Sequence, residues 1–343
     1  MRLKGLGEFS LIERLTNQMR DYNDSVILGI GDDAAAFRAS DGKCMLASCD
    51  MLVEGQHFRR DWITGEQLGH KALAVSLSDI AAMGGVPRYA LISAGWPNDM
   101  DLDYAEGIYR GMGELAASCG VFIIGGDTVS APQLILDVTV IGEMEGNPVT
   151  RACAVPGHVF AVTGTLGAAA AGLALLKRGD HLPGEADPEQ SLSPPAKQAL
   201  LRAHLLPQPR IKEAGILLQT GSPSAMIDIS DGLASEIHHI CKGSGVGAAV
   251  VTSMLPVNEH TQMAAQSLGQ DFLEWVLYGG EDYELLVTLA EDQAFAVKGE
   301  LGKLGVDFTV IGKVTDKAKG INLLREDGSV VSLRKKGYDH FKS

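Results

Sequence analysis

The stretch Val26-Ile27-Leu28-Gly29-Ile30-Gly31-Asp32-Asp33-Ala34 decides how the rest of the chain is read. A short apolar run with β-branched residues reads as a strand, and it ends in two glycines and two adjacent aspartates. Adjacent carboxylates repel one another and lose hydration when buried, so such a pair either stays in water or meets a cation. For the fragment alone a solvated turn suffices; recurrence of the pattern downstream argues for the cation. The same residues also match the dinucleotide fingerprint, as Gly29-x-Gly31-x-x-Ala34 with Asp50 at the distance of a ribose-binding acid. That match fails on topology. A parallel crossover needs about a dozen or more residues, usually a helix. Here Asp41-Gly42 already marks a turn, and a second strand, Cys44 to Ser48, follows at once. The segment predicts an antiparallel hairpin with no helix N-terminus to hold a pyrophosphate.

At 343 residues the chain exceeds the roughly 250–300 at which a single core stops growing, so two domains are expected. The first alternates strands and helices and closes near Gly146; Arg151 and Pro156-Gly157 open the second. This gives two alternating α/β (α+β) domains, 1–148 and 149–343. A net charge of −14 argues against nucleic acid and acidic membrane surfaces as partners. An acidic protein still binds a polyanion such as ATP when divalent cations bridge the two. The five cysteines (44, 49, 119, 153 and 241) are odd in number and scattered, which suits a reducing compartment with no zinc site. Neither a signal peptide nor an uncharged run of about 18 residues is evident, so a cytoplasmic location is expected.

Along the first half, Ser10-x-x-Glu13 reads as a capping box ahead of Leu11, Ile12, Leu15 and Met19. A second box, Thr64-x-x-Gln67, opens a helix through Leu68, Ala72 and Val75 that Gly84-Gly85 ends. Asp79 sits late in that helix, at the wrong end of the dipole, so simple exposure or a separate role must account for it. Tyr89 to Ala94 reads as a strand, and Ile108, Met112 and Leu115 as the buried face of a helix. Val121 to Ile124 reads as a buried strand running into Gly125-Gly126-Asp127-Thr128, and Leu134 to Ile141 as a long strand carrying Asp137. In the second half, Val159 to Thr163 is a strand. The loop Gly164-Thr165-Leu166-Gly167 then leads into an alanine-rich helix. That loop lacks the ending of a P-loop, so tight packing is favoured over anion binding. Gly179 to Pro195 reads as a mobile insertion. Ala225-Met226-Ile227 runs into Asp228-Ile229-Ser230-Asp231-Gly232, Gly279-Gly280-Glu281-Asp282-Tyr283 precedes a strand from Leu285 to Leu289, and Asp327-Gly328 marks a hairpin.

Asp32-Asp33, Ser48-Cys49-Asp50, Asp79, Gly126-Asp127 and Asp228-x-Ser230-Asp231 share one context: most follow an apolar strand, beside glycine or a small residue. Strand ends in an α/β domain face a common crevice, so these side chains are expected to converge. Oxygen donors without a histidine or cysteine cluster suit hard cations, magnesium above all, which completes its shell with substrate phosphates. More carboxylates than one ion needs suggest several ions around a polyphosphate.

The motifs GIGDDAA, DMLVEGQHF, KALAVSLSDIAAMG, IIGGDT, Thr150-Arg151, IDISDGL, GGEDYEL and KGYDHF resemble, in order and over nearly the whole chain, those of the thiamine-monophosphate kinase family. That family belongs to the aminoimidazole ribonucleotide synthetase-like ATP-binding superfamily, which implies an active site in the crevice between the two α/β domains. The resemblance implies transfer of the γ-phosphoryl of ATP to thiamine phosphate by a magnesium-dependent enzyme. It implies magnesium ligation by Asp33, Ser48, Cys49, Asp50, Asp79, Asp127, Asp228 and Asp231, and ATP contacts from Tyr109, Gly126, Asp127, Arg151 and Ser230. Thiamine phosphate contacts fall to His57, Glu281 and Tyr338, with Asp50, Asp127 and Arg151 carrying catalysis. It also implies a homodimer through the first domain, for which Leu134 to Ile141 is the candidate edge. Cys49 departs from the expected threonine, and a thiol is a poor magnesium ligand, so a backbone carbonyl is the expected donor there. Two other readings compete: a relative with a different acceptor, and a non-catalytic magnesium–nucleotide sensor. A selenophosphate synthetase-like enzyme would be expected to carry a reactive cysteine near its start, and a hydrogenase-maturation member a terminal one. This sequence has no cysteine before Cys44 and ends His340-Phe341-Lys342-Ser343.

Overall fold

The computed structural model describes residues 8–17, 19, 22–179 and 192–338. Helix α1 (Glu8–Thr16) begins before Ser10, so that serine lies inside the first turn and not at a cap, and Met19 lies beyond its end. Glu8 in the first turn complements the positive end of the helix. Strands β1 (Val26–Leu28), β2 (Ala35–Arg38) and β3 (Cys44–Val53) pair antiparallel in sequence, as the Asp41-Gly42 turn requires. Helix α2 (Gly65–Ala82) follows, its Thr64/Gln67 capping box fully formed. Strand β4 (Val86–Trp96), helix α3 (Leu102–Cys119), β5 (Phe122–Ser130) and β6 (Ile135–Met144) complete a sheet in the order β1-β2-β3-β6-β4-β5.

Two expectations fail here. β6 is central, paired antiparallel to both β3 and β4, so Leu134 to Ile141 is no edge. The edges are β1 and β5, and β5 is not buried: Phe122, Ile124 and Val129 are 68%, 57% and 54% exposed. An apolar run reports that a strand will be covered, but not whether this chain covers it.

The second sheet contains β7 (Val159–Thr163), β8 (Ala225–Asp228), β9 (Val246–Val251), β10 (Leu285–Leu289), β11 (Phe308–Asp316), β12 (Ile321–Leu324) and β13 (Val330–Ser332). Their spatial order is β13-β12-β9-β11-β7-β10-β8. Helices α4 (Ala168–Arg178), α5 (Pro194–Leu205), α6 (Ile211–Ile216), α7 (Leu233–Ser244), α8 (Glu259–Leu268), α9 (Phe272–Tyr278) and α10 (Glu291–Lys303) surround it. β7, β8 and β10 are buried throughout, as expected of strands covered on both faces. In place of the anion weighed for Gly164 to Gly167, the start of α4 meets a side chain of this chain: Gly167 N–H donates to Asp282 Oδ2 at 2.8 Å and Ala169 N–H to Oδ1 at 3.3 Å. Most of the Gly179–Pro195 segment, 180–191, lies outside the described residues.

Helix α2 joins the two halves. Its Leu68, Ala72, Leu73 and Leu77 pack into the core of the first sheet. Ala81 and Ala82, at its end, pack with Val159, Ala161, Met226 and Leu285 of the second. A helix buried on nearly every side reads as apolar all round, and its few polar residues then need partners.

Candidate functional site

Beyond the first turn and His70, the polar residues of α2 are Lys71, Ser76, Ser78 and Asp79. Lys71, Val75 and Asp79 are four residues apart in succession, so they share one helix face, and that face lines a cavity of about 1370 Å³. Asp33, from the turn after β1, and Asp50, in β3, line the same cavity, with Asp228 at the end of β8 and Ser230 and Asp231 just beyond. The sheets are mostly antiparallel, so the convergence does not come from parallel strand ends. Asp79 comes from a helix and Asp50 from within a strand.

Hydroxyls tie the carboxylates across elements. Ser48 Oγ donates to Asp79 Oδ2, and Ser78 Oγ donates to Asp228 Oδ2 at 2.5 Å, joining α2 to the second sheet. Arg151 makes a fork: its Nη2 donates to Asp33 Oδ1 at 2.5 Å, while its Nε and main-chain N–H reach Asp32 at 3.3 and 3.2 Å. Asp32 also accepts from the Asp33 N–H at 3.0 Å, in its own turn.

These groups do not sit comfortably as anions. Burial pushes Asp33 well above the usual carboxylate range, with Arg151 opposing it. Asp79 is raised by burial and then by Asp50, Asp228 and Asp33. Asp228 is raised by burial to about 6, against the Ser78 hydrogen bond. Burial also raises Asp50. Two buried oxygens, Asp33 Oδ2 and Asp50 Oδ2, have no hydrogen-bond partner. Among the described residues, no group of three or more His, Cys, Asp and Glu side chains is already arranged to hold a metal ion. The residues fit magnesium in the shared manner: oxygen donors only, with orphaned buried oxygens, and a shell left for phosphates to complete.

His57, Glu281 and Tyr338 line the same cavity. Val53 N–H donates to His57 Nδ1 at 2.9 Å, which assigns the ring proton to Nε2. Tyr338 follows Gly337, and its N–H reaches the Asp231 carbonyl at 3.4 Å. Asp339, His340 and Phe341 of the same motif lie outside the described residues.

Tyr109, Gly126 and Asp127 are elsewhere. Met51 in β3, Asp137 in β6, Ser93 in β4 and Asp127 in β5 form one row across the sheet. Three strand spacings put Asp127 about 14 Å from Met51. Tyr109 stacks on Trp96, ring centroids 6.4 Å apart, and Trp96 pairs with Ser130 of β5. Gly126 has a purely steric reason to be glycine: a Cβ there would lie 1.7 Å from the Ile92 carbonyl oxygen.

The Cys49 thiol is turned to the sheet's open face, where Sγ lies 3.3 Å from Asp137 Oδ1 and accepts from Thr139 Oγ1 at 3.4 Å. Successive residues of a strand point to opposite faces, so the thiol and the Asp50 carboxylate diverge. Cys49→Thr is therefore expected to leave the magnesium dependence of the rate unchanged within about twofold, since a backbone carbonyl is the same in every residue. A several-fold drop in the magnesium requirement would show that the side chain is a ligand.

Lys71 and His204 also line the cavity, outside the motifs of the sequence analysis. Lys71 does have a local signal, as a lone lysine eight residues before Asp79 on one face of an apolar helix. His204, in the run Leu-Arg-Ala-His-Leu of α5, carries no local signal.

This geometry can be set beside known proteins. Residues 31–144 match the family model of the AIR synthase related protein N-terminal domain, and 155–322 that of the C-terminal domain. A thiamine-monophosphate kinase of Bacillus subtilis is 39% identical over 339 residues, 98% of this chain and 100% of that protein. The chain belongs to the thiamine-monophosphate kinase family. The Escherichia coli enzyme is 38% identical, covering 98% of each chain. A solved structure of AaThiL complexed with AMPPCP and TMP superposes with a TM-score of 0.83 at 33% identity, over 99% of both chains. The hydrogenase maturation protein HypE, at 23% identity and a TM-score of 0.68, shares the fold. For a thiamine-monophosphate kinase family member, the two-domain α/β architecture is the expected one. No helix among the described residues is long and apolar enough to cross a membrane.

Proposed function

We propose that this protein is a magnesium-dependent thiamine-monophosphate kinase that transfers the γ-phosphoryl of ATP to thiamine phosphate, giving thiamine diphosphate and ADP. The observation that carries the reading is the meeting of Asp33, Asp50, Asp79 and Asp228, from two sheets and a bridging helix, at one cavity beside Arg151. We read its domains as 1–148 and 149–343, a reading supported by the split into two sheets.

Phosphoryl transfer leaves little covalent work for a protein beyond positioning and neutralising charge. Asp33, Asp50, Asp79, Asp228 and Asp231, with Ser48 and the Cys49 carbonyl, would hold magnesium; Asp127 would join them from the sheet edge. Bound magnesium would cancel the repulsion between acceptor phosphate and γ-phosphate. Arg151 presents a planar fork suited to phosphate oxygens, and Ser230, Tyr109 and Gly126 would complete the ATP contacts. His57, Glu281 and Tyr338 would seat thiamine phosphate. The acceptor phosphate is already ionised near pH 7, so no general base is assigned.

The cysteine pattern and the charge favour a cytoplasmic protein working on small anions. A long, apolar, unpaired edge such as β5 is a liability that proteins usually cover. A homodimer through the first domain would cover it, and would also bring Tyr109, Gly126 and Asp127 into an active site. Phe122→Glu is expected to give a monomer in sedimentation at micromolar concentration, with activity lost; a wild-type monomer that is fully active would exclude the arrangement.

The decisive assay supplies ATP, magnesium and thiamine phosphate and measures product. Thiamine diphosphate formed one-for-one with ADP is expected. Phosphorylation of free thiamine alone, or ATP hydrolysis indifferent to the acceptor, would overturn the assignment.

A further inference from the structure

Lys71 is 1% exposed in an apolar helix, and a buried ammonium needs a counter-charge. Its Nζ lies 2.8 Å from Glu281 Oε1, and His204 Nδ1 lies 3.0 Å from Glu281 Oε2. The three groups come from three places: α2, α5 and the turn before β10. That turn is held in an uncommon shape. Gly280, Glu281 and Tyr283 have φ of 59°, 62° and 50°, a region non-glycine residues rarely enter. It is pinned by Glu281 N–H to the Ser230 carbonyl at 2.7 Å and Tyr283 N–H to the Ile229 carbonyl at 2.9 Å. Backbone of this kind persists only where the surroundings over-determine it, and it clusters at functional sites.

The ion pair is lopsided. Lys71 is sealed in, whereas the Glu281 side chain remains 29% exposed and lines the cavity together with His57 and Tyr338. A purely structural pair would gain nothing from that opening. A carboxylate has about four acceptor positions; Lys71 and His204 engage one on each oxygen and leave capacity toward the cavity. Burial works to raise the Glu281 carboxyl, but Lys71 and then His204 overcome it and hold the group far below the usual range. Burial, then Lys71, lowers His204, while its Nδ1 stays within 3.0 Å of the Glu281 carboxylate.

We propose that Lys71 and His204 are positioning residues for the phosphate acceptor: they lock Glu281 as a fixed anion that receives an N–H donor of the acceptor's heterocycle, and so set acceptor affinity. This rests on the kinase reading above. Because α2 belongs to the first domain and Glu281 to the second, the same pair ties the acceptor end of the cavity to correct seating of the two domains.

The test is a cycle of Lys71→Met, Glu281→Gln and the double variant, with His204→Gln as a milder break, read as separate KM values for thiamine phosphate and ATP. Each single change is expected to raise the KM for thiamine phosphate about tenfold or more while the KM for ATP stays within about twofold, a split that uniform destabilisation does not produce. The double variant is expected to be no worse than the singles, since groups acting as one unit are non-additive. It also removes both charges together, so it carries the test should Lys71→Met fail to fold. Additive effects, an unchanged KM for thiamine phosphate, or equal rises in both KM values would overturn the proposal in an active wild type. A wild type that forms no thiamine diphosphate would instead overturn the kinase reading, and this acceptor-side role with it.

Discussion

Asp50→Asn is expected to lower kcat by about 10²- to 10³-fold, the range seen when one preorganised charge-stabilising group is removed, while the fold stays intact. Asparagine keeps the shape of the side chain and loses the charge that holds a cation. Burial raises both Asp50 and Asp79; the Asp50 charge raises Asp79 further, while hydrogen bonds from Ser76 and Asp79 work to lower Asp50. Neutralising it therefore removes repulsion from the metal-free protein, and the thermal midpoint without magnesium should hold or rise. With saturating ATP and magnesium the order should reverse, because the wild type gains more from its ligands. Near-normal turnover at limiting magnesium would sink the idea of a shared cluster, and a collapse of the midpoint would recast Asp50 as a structural residue.

The second large effect is expected at Arg151. Its guanidinium is the cation facing Asp32 and Asp33, whose side chains are each 5% exposed. Breaking a buried pair from one side leaves an uncompensated charge and costs about 3–5 kcal/mol. Arg151→Met should therefore destabilise the protein and also lower kcat/KM for ATP by about 10²-fold, as the phosphate fork is lost. The two effects separate in Arg151→Met/Asp32→Asn. Removing the Asp32 charge relieves part of the destabilisation, and the ATP defect should remain. Recovery of both together would mean that Arg151 acts only by holding the Asp32-Asp33 turn, and that it has no contact with nucleotide.

Much of this was legible in the sequence because it depends on neighbours in the chain. The Thr64/Gln67 capping box, the Asp41-Gly42 hairpin and the antiparallel reading that excluded a dinucleotide fold are local, and the structure contains each of them. The residue types of the acidic set were equally plain, since oxygen donors beside glycine select a chemistry wherever they sit. Which of them meet was decided by tertiary structure. Asp33, Asp50, Asp79 and Asp228 come together because α2 runs from one sheet to the other, which no periodicity records. Asp127 has the same sequence context, yet the strand order leaves it on an exposed edge. The same order made β6 central and β5 an edge, because an apolar alternation fixes a strand's faces but not its place in the sheet. Lys71 and His204 are 133 positions apart and gain meaning only from Glu281 between them. Pairing of a buried charge is a property of packing, and the packing is the one thing the sequence leaves to the fold.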